Sequence, residues 1–408
     1  MTGPTDRPAL AQPGYRREAL PDPESVGEDE GLVAAIRAEI EAAGPITFAR
    51  FMERALYEPG HGYYRRQEAG PGMAGDFLTA PEAHPIFGAA IGRLLEQAWE
   101  AMGRPSPFTV SEPGAGSGAL AAGLLGGLRD LGSPMLAAVR YRPVEVEPAR
   151  LAAFRARLAG EALGGHVETG DLLATPVEAG AVVANEVVDA LPVHRVVGRA
   201  DGIRELLVGV ADGGGFENVE AVPTTPALAE RLAAEGVTLA DGQVTEICLA
   251  VDAWLEGVVR HLRIGVVVLV DYADEPAALH GPGRMSGTLR AFARHAVGAD
   301  PFRHVGRQDP TATVDLAAVR AAASRVGLDP LGETTQAELL AAVGSVELTD
   351  AWLRRPGADL QGALLLRSAL MRLMDPRGMG GYRVLVFGRG LPTGTAMSGL
   401  ARIRRAGA

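Results

Sequence analysis

Glu112-Pro113-Gly114-Ala115-Gly116-Ser117-Gly118 is the stretch whose residue types most directly suggest chemistry. Glycines at 114, 116 and 118 let a backbone approach a ligand closely and turn through positive φ angles. Phe108-Thr109-Val110 before them reads as a short buried strand, and Ala119 to Leu125 opens an amphipathic helix. The free N–H groups and dipole of that helix's N-terminus suit a nucleotide or nucleoside at the turn. Taken alone, Gly114-x-Gly116-x-x-Ala119 also fits a dinucleotide fingerprint, and a lone match of that kind is weak. Three acids discriminate. Glu112 precedes the loop, where it suits a cationic amino acid group and opposes a pyrophosphate. Glu145 ends a second strand, where a carboxylate can accept both ribose hydroxyls. Asp171 follows a third strand, placed to take an adenine amino group. Together they describe S-adenosyl-L-methionine better than NAD. The expected cofactor contacts here are Glu112, Gly114, Ala115, Gly116, Gly118, Glu145, Val146, Asp171 and Leu172.

The elements that must hold these residues form an α/β pattern. Strands are expected at 108–110, 141–146, 166–173, 180–186, 265–270, 328–331 and 382–387, with helices at 148–158, 247–263, 314–326 and 363–374. Gly180-Ala-Val-Val-Ala-Asn-Glu186 is apolar enough to be buried on both faces of a sheet. Ahead of this core, Leu32, Ile36 and Ile40 repeat at helical spacing, Thr47 can cap a second helix, and Pro85 to Met102 is a long amphipathic one. The expected organisation is a disordered tail over 1–30, an N-terminal helical cap and lid loop over 31–104, and a core domain over 105–390. Insertions in that core fall at about 195–245, which reads as β-rich, 272–312, which reads as loop, and 336–375. Residues 391–408 read as a frayed tail.

Composition narrows the setting. With 408 residues the chain can bury a sizeable core. A formal net charge of -11 argues against broad nucleic-acid or anionic-membrane surfaces. Cys248 is the single cysteine, so an intramolecular disulfide is impossible and a cysteine-based zinc site is not expected; no metal is read from the sequence. No apolar run reaches membrane-spanning length, and the N-terminus lacks the basic-then-apolar pattern of a secretory signal. A cytoplasmic enzyme is the expectation, with its oligomeric state, homodimer included, left open.

Several longer motifs then resemble a known family. Gly60-His-Gly-Tyr-Tyr64, Gly75-Asp-Phe-Leu-Thr-Ala-Pro-Glu82, Phe87-Gly88 and Asn185-Glu-Val-Val-Asp-Ala-Leu-Pro-Val-His-Arg195 are similar to the MidA-type methyltransferases. Asp271-Tyr272, Asp309-Pro310 and Leu373-Met-Asp-Pro376 extend the resemblance, in order, over most of the chain. It implies a Rossmann-like class I fold with a seven-stranded sheet and a helical cap, and methyl transfer to protein arginine. Two positions depart from the family's loop, which carries Leu after the acid and Arg before the last glycine. Here Pro113 and Ser117 stand there.

Within that frame Glu186 and Asp189 follow buried strand four on the carboxyl edge, where open sheets place their chemistry. A helical turn would bring both carboxylates to one face, as a guanidinium clamp requires. Asn185 can contact the methionine portion or the acceptor through its amide. His194 can relay a proton or be an ordinary surface histidine. Gly75, Asp76, Thr79 and Glu82 form a candidate lid over the cofactor; the competing reading of Glu82 is a first-turn residue of a helix opened by Pro81. A small-molecule methyltransferase and a cofactor-binding assembly chaperone remain open as other functions, and a dehydrogenase is remote.

Overall fold

The computed structural model describes residues 26–66, 78–168, 175–293, 296–298, 300–355, 357–392 and 394–400. Its largest sheet has six strands among those residues, numbered here along the chain: β1 (Phe108–Pro113), β2 (Val139–Val144), β3 (Val177–Asn185), β4 (Leu262–Asp271), β5 (Asp329–Thr335) and β6 (Arg383–Arg389). The spatial order is β5-β6-β4-β3-β1-β2. β2, β1, β3 and β4 are parallel, while β6 runs antiparallel to β4 and β5 antiparallel to β6. The order reverses beside β1, so the carboxyl ends of β1 and β3 open a crevice where such sheets bind ligands. Val266 to Val270 of β4 are all buried, as expected of a strand covered on both faces.

The seven-stranded expectation is met only in part. Val167 pairs in parallel with Tyr141 through a single bridge at the place of a further edge strand. Its expected continuation, with Asp171 and Leu172, lies outside the described residues, as do Gly75 and Asp76.

Other boundaries also differ. The helix expected over 247–263 is limited to Ala250–Val259, because Val244–Ile247 is a strand paired with His194–Arg199 and β4 begins at Leu262. The stretch expected as loop at 272–312 holds a small antiparallel sheet of Arg290–Ala293, Ala296–Gly298 and Asp309–Thr311. Alternating polar and apolar residues are too short there to announce strands. The tails are also less free than expected where they are described. Asp29 donates its N–H to Val305 and its carboxylate caps the helix Glu30–Ala43 through Leu32 N–H at 3.0 Å. Ser398 N–H reaches Gln97 Oε1 at 2.7 Å, and Met397 is buried.

The β-rich insertion is a second sheet, and the N-terminal cap is built into it. Ile46-Thr47 pairs antiparallel with Leu207-Val208. Thr47 then caps the helix Phe48–Tyr57. Leu32, Ile36, Phe48, Phe51, Met52 and Tyr63 share one apolar cluster with Val208 and Val305.

The helix Ile86–Ala101 crosses the helix Ala119–Asp130, which starts at the glycine loop. Their contact is made by Gly88 and Gly123: a Cβ on Gly88 would fall 2.7 Å from Leu124 N, and one on Gly123 2.6 Å from Pro85 O. Backbone atoms cannot step aside as a side-chain tip can, so both glycines fix how the two helices meet. Gly88→Val should therefore separate them, costing roughly 1–3 kcal/mol or more and weakening cofactor binding with it. A denaturant midpoint equal to wild type would rule out this close contact.

Candidate functional site

The glycine loop leaves β1 with positive φ at Gly114 (68°), Gly116 (50°) and Gly118 (82°). Gly114 and Ala115 donate to Val144 O at 2.9 and 3.3 Å, which ties the loop to the end of β2. Glu145, the residue directly after Val144, accepts from Gly116 N–H at 2.9 Å and from Val146 N–H at 2.8 Å. Its carboxylate thus stands at the lip of the loop, the position expected of a ribose ligand. Val146 is exposed beside it, and its carbonyl accepts from Arg65.

Glu112, at the end of β1, is bonded to the neighbouring strand. It is 5 % exposed, and Oε2 accepts from Tyr141 O–H at 2.6 Å. Burial first, then the nearby Glu145, lift its carboxyl to about 8, with Tyr141 offsetting part of the rise. It therefore braces the loop through a contact with the neighbouring strand.

Ser117 and Glu82 are held together. Ser117 Oγ donates to Glu82 Oε1, and Arg157 Nη1 donates to Ser117 Oγ at 2.9 Å while lying 3.4 Å from Glu82. Glu82 sits in the short helix Ala80–Ala83, with Thr79 before it. A guanidinium supplied by the helix Pro148–Gly160 thus fixes a loop that itself carries serine. Arg157 was missed from the sequence. The signal was there, since Ser117 in place of arginine requires the cation to arrive from another element.

The acids follow β3. Glu186, a non-glycine residue, adopts φ 51°, a backbone state that costs about 1–3 kcal/mol and is kept where structure over-determines it. Glu186 Oε1 accepts from Asn185 Nδ2 at 3.0 Å and from Ala80 N–H at 3.3 Å. Asn185 Oδ1 is buried and lacks a hydrogen-bond partner among the described residues. Asp189 is 6 % exposed; Oδ2 accepts from Tyr272 O–H at 2.5 Å, while Oδ1 has no partner among the described residues. Asp271 closes the back of the turn, accepting Val188 N–H at 3.0 Å and Asp189 N–H at 3.2 Å on Oδ2, and Tyr272 N–H at 3.0 Å on Oδ1. Tyr57 O–H adds a bond to Ala190 O at 2.9 Å.

Crowding of these carboxylates in a low-dielectric recess changes their acidity. Burial, then repulsion from Asp189, push Glu186 up to about 8, with Asn185 and the Ala80 N–H offsetting part. Burial lifts Asp189 to about 6 against the pull of Tyr272. Asp271 goes well above its ordinary value through burial, then Asp189 and Glu186. Such a site seeks a cation.

His194 is not part of it. Its Nδ1 lies 2.7 Å from Glu205 Oε1 on the second sheet, and Glu205, fully buried, also accepts from Thr224 N–H and Oγ1. Of the two expectations for His194, these contacts favour the ordinary histidine, packed into the insertion.

A parallel sheet completed by an antiparallel pair, with a glycine loop and an acid at the end of the neighbouring strand, defines a mixed α/β fold of the class I methyltransferase type. Comparison carries this further. Residues 90–334 match a family described as "Putative S-adenosyl-L-methionine-dependent methyltransferase". A crystal structure from Burkholderia thailandensis, bound to S-adenosyl-homocysteine, superposes with a TM-score of 0.81 at 35% identity, covering 94% of this chain and 98% of that one. The mitochondrial protein arginine methyltransferase NDUFAF7 homolog of Drosophila melanogaster is 30% identical over 411 residues, 93% of this chain and 89% of the relative. NDUFAF7 of Mus musculus is 28% identical over 376 residues, 85% and 79% of the two chains. The chain belongs to the MidA- and NDUFAF7-like family of S-adenosyl-L-methionine-dependent methyltransferases. Its cofactor is S-adenosyl-L-methionine. No helix among the described residues is long and apolar enough to cross a membrane.

The residues fit that cofactor. Opposite Gly116 a Cβ would meet only Gly114 O at 3.8 Å, so the loop's face stays open to a ligand. Asn185 Oδ1 offers an unmatched acceptor nearby in sequence to the acids. Glu145→Ala should lower S-adenosyl-homocysteine affinity about tenfold or more, the worth of a lost charged hydrogen bond. His194→Ala should leave that affinity within about twofold and lower the unfolding temperature instead. Calorimetry and thermal unfolding of the two variants check this; reversed effects would move the ribose site elsewhere.

Proposed function

We propose that the protein transfers a methyl group from S-adenosyl-L-methionine to an arginine side chain of a protein. The observation that carries the reading is Glu186, held at φ 51° beside Asp189 on the carboxyl edge of β3. The names of the relatives NDUFAF7, protein arginine methyltransferases, support the acceptor. In this reading Gly114, Ala115, Gly116 and Gly118 cradle the cofactor, Glu145 and Val146 meet its ribose side, and Asn185 its methionine portion. Asp171, Leu172, Gly75 and Asp76, outside the described residues, keep the adenine and lid roles their positions suggest. The cap over 31–104 and the domain over 105–390 close on the acceptor from two sides.

The bound cofactor supplies an electrophilic sulfonium methyl. Glu186 and Asp189 accept paired N–H bonds from the guanidinium and aim one nitrogen along the line of displacement. The C–N bond forms as the C–S bond breaks, and the methylated guanidinium gives one proton to the carboxylate pair. Glu186, raised to about 8 before the acceptor arrives, is suited to take it. Tyr272 keeps Asp189 oriented, and Asp271 holds the turn without touching the acceptor.

Glu186→Gln should keep S-adenosyl-homocysteine binding near wild type and lower kcat/KM for an arginine acceptor by about a hundredfold or more. Because the guanidinium needs the ionised pair, and the Glu186 carboxyl is protonated below about 8, kcat/KM should rise as pH climbs from about 6.5 to about 8.5. Labelled cofactor incubated with a cell lysate should place label in protein, at arginine. Label confined to small molecules would overturn the protein acceptor, and full activity of Glu186→Gln would remove the proposed site.

A further inference from the structure

On the far side of the acid turn, Glu235, His280 and Asp315 bring three ligand atoms within 4.8 Å of one another. His280 Nε2 lies 3.7 Å from Glu235 Oε2 and 3.9 Å from Asp315 Oδ2, beyond hydrogen-bonding distance. Side chains of His280 and Glu235 are 2 % and 6 % exposed. Neither carboxylate oxygen of Glu235 nor His280 Nε2 has a hydrogen-bond partner among the described residues. Buried polar atoms are ordinarily satisfied, so three orphans facing one another call for a ligand. They line a cavity of about 20 Å³, room for a body the size of one water.

The surroundings fix these atoms as ligands are fixed. His280 Nδ1 is 2.7 Å from Thr245 Oγ1, which orients the ring and leaves Nε2 for the cavity. Gln243 Nε2 holds the His280 backbone carbonyl at 2.9 Å. Asp315 spends Oδ1 on the cap of the helix Leu316–Arg325, accepting from Ala317 and Ala318, and turns Oδ2 inward. Arg231 gives Nη2 to Asp252 at 3.1 Å and stays 3.9 Å from Glu235 Oε1, a charge neighbour and not a hydrogen-bonded one.

We propose that Glu235, His280 Nε2 and Asp315 bind one divalent transition-metal ion, Zn²⁺ or Mn²⁺, completed by water. One imidazole and two carboxylates suit such borderline ions. Ligands about 2.1 Å from a tetrahedral ion lie roughly 3.4 Å apart, so the two His280 distances need to close by only a few tenths of an ångström, while the two carboxylates stand within 4.8 Å of each other. The ion joins three segments that are separate in sequence: the end of the helix Ala227–Ala234, the residue after Pro276–Leu279 and the start of Leu316–Arg325. Val188 and Ala312, which flank the acid turn, line the same cavity. The site is therefore structural, a clamp beneath the floor of the acceptor pocket. The other way to balance the cluster is a proton. Burial pulls the His280 imidazole down, yet Asp315 and Glu235 together lift it to about 9.

The full chain, stripped with a chelator and dialysed, decides between them. Reloaded with Zn²⁺ or Mn²⁺, it should hold one ion per chain by elemental analysis and unfold at least about 3 °C higher. Glu235→Gln and His280→Gln, which keep side-chain volume and spare the Asp315 cap, should lose both the ion and the shift. S-adenosyl-homocysteine binding by calorimetry shows that each variant is folded. If His280→Gln does not fold, Glu235→Gln alone carries the comparison. Absence of a stoichiometric ion in wild type, or an equal metal shift in wild type and Glu235→Gln, overturns the proposal in favour of a proton-balanced triad.

Discussion

Three carboxylates, Glu186, Asp189 and Asp271, share one recess at the carboxyl edge of β3 and β4, and the surrounding structure is arranged to keep them there. Each buried charge costs several kcal/mol before compensation. Backbone N–H groups of Val188, Asp189 and Tyr272 are aimed at Asp271, the Tyr272 hydroxyl at Asp189, and the Asn185 amide at Glu186. What these donors leave unanswered is a demand for positive charge, which in the proposed reading a guanidinium would meet. The recess is thus defined more by what it lacks than by what it holds.

Two half-sites must work together, one at the glycine loop and one at the acids. The segment 79–82 spans them. Ala80 N–H reaches Glu186, and two residues later Glu82 reaches Ser117 and Arg157. A displacement of this segment is therefore felt at the glycine loop and at the acids at once. Methyl transfer needs the two reactants in line within a fraction of an ångström, and a shared strut is one way to couple them.

What was legible in the sequence follows from distance along the chain. The glycine loop, Glu145 and the acids after β3 are set by local spacing at strand ends, and the structure puts Glu145, Glu186 and Asp189 at those ends. The buried runs of β3 and β4 announced themselves by composition. The bond of Glu112 to Tyr141 was not legible, because sequence position does not say which residue of the neighbouring strand a strand-end side chain meets. His194 was ambiguous for the same reason; its partner Glu205 becomes a neighbour only through the antiparallel pairing of the second sheet. Arg157, Tyr57 and the trio of Glu235, His280 and Asp315 depend on elements meeting across long loops, which no periodicity records. Ile247 carried the helical expectation across a boundary that a strand partner, His194, decided instead.

The pairing of Ile46-Thr47 with Leu207-Val208 has a consequence for how the chain assembles. Leu32, Ile36, Phe48 and Phe51 are made well before Val208 and Val305, which cover them. Contacts between distant residues form slowly, because loop closure must be achieved before they reward it. The emerging cap therefore carries uncovered apolar faces while the remaining chain is synthesised, a state prone to association. For this cap, the order of synthesis and the order of assembly are opposed.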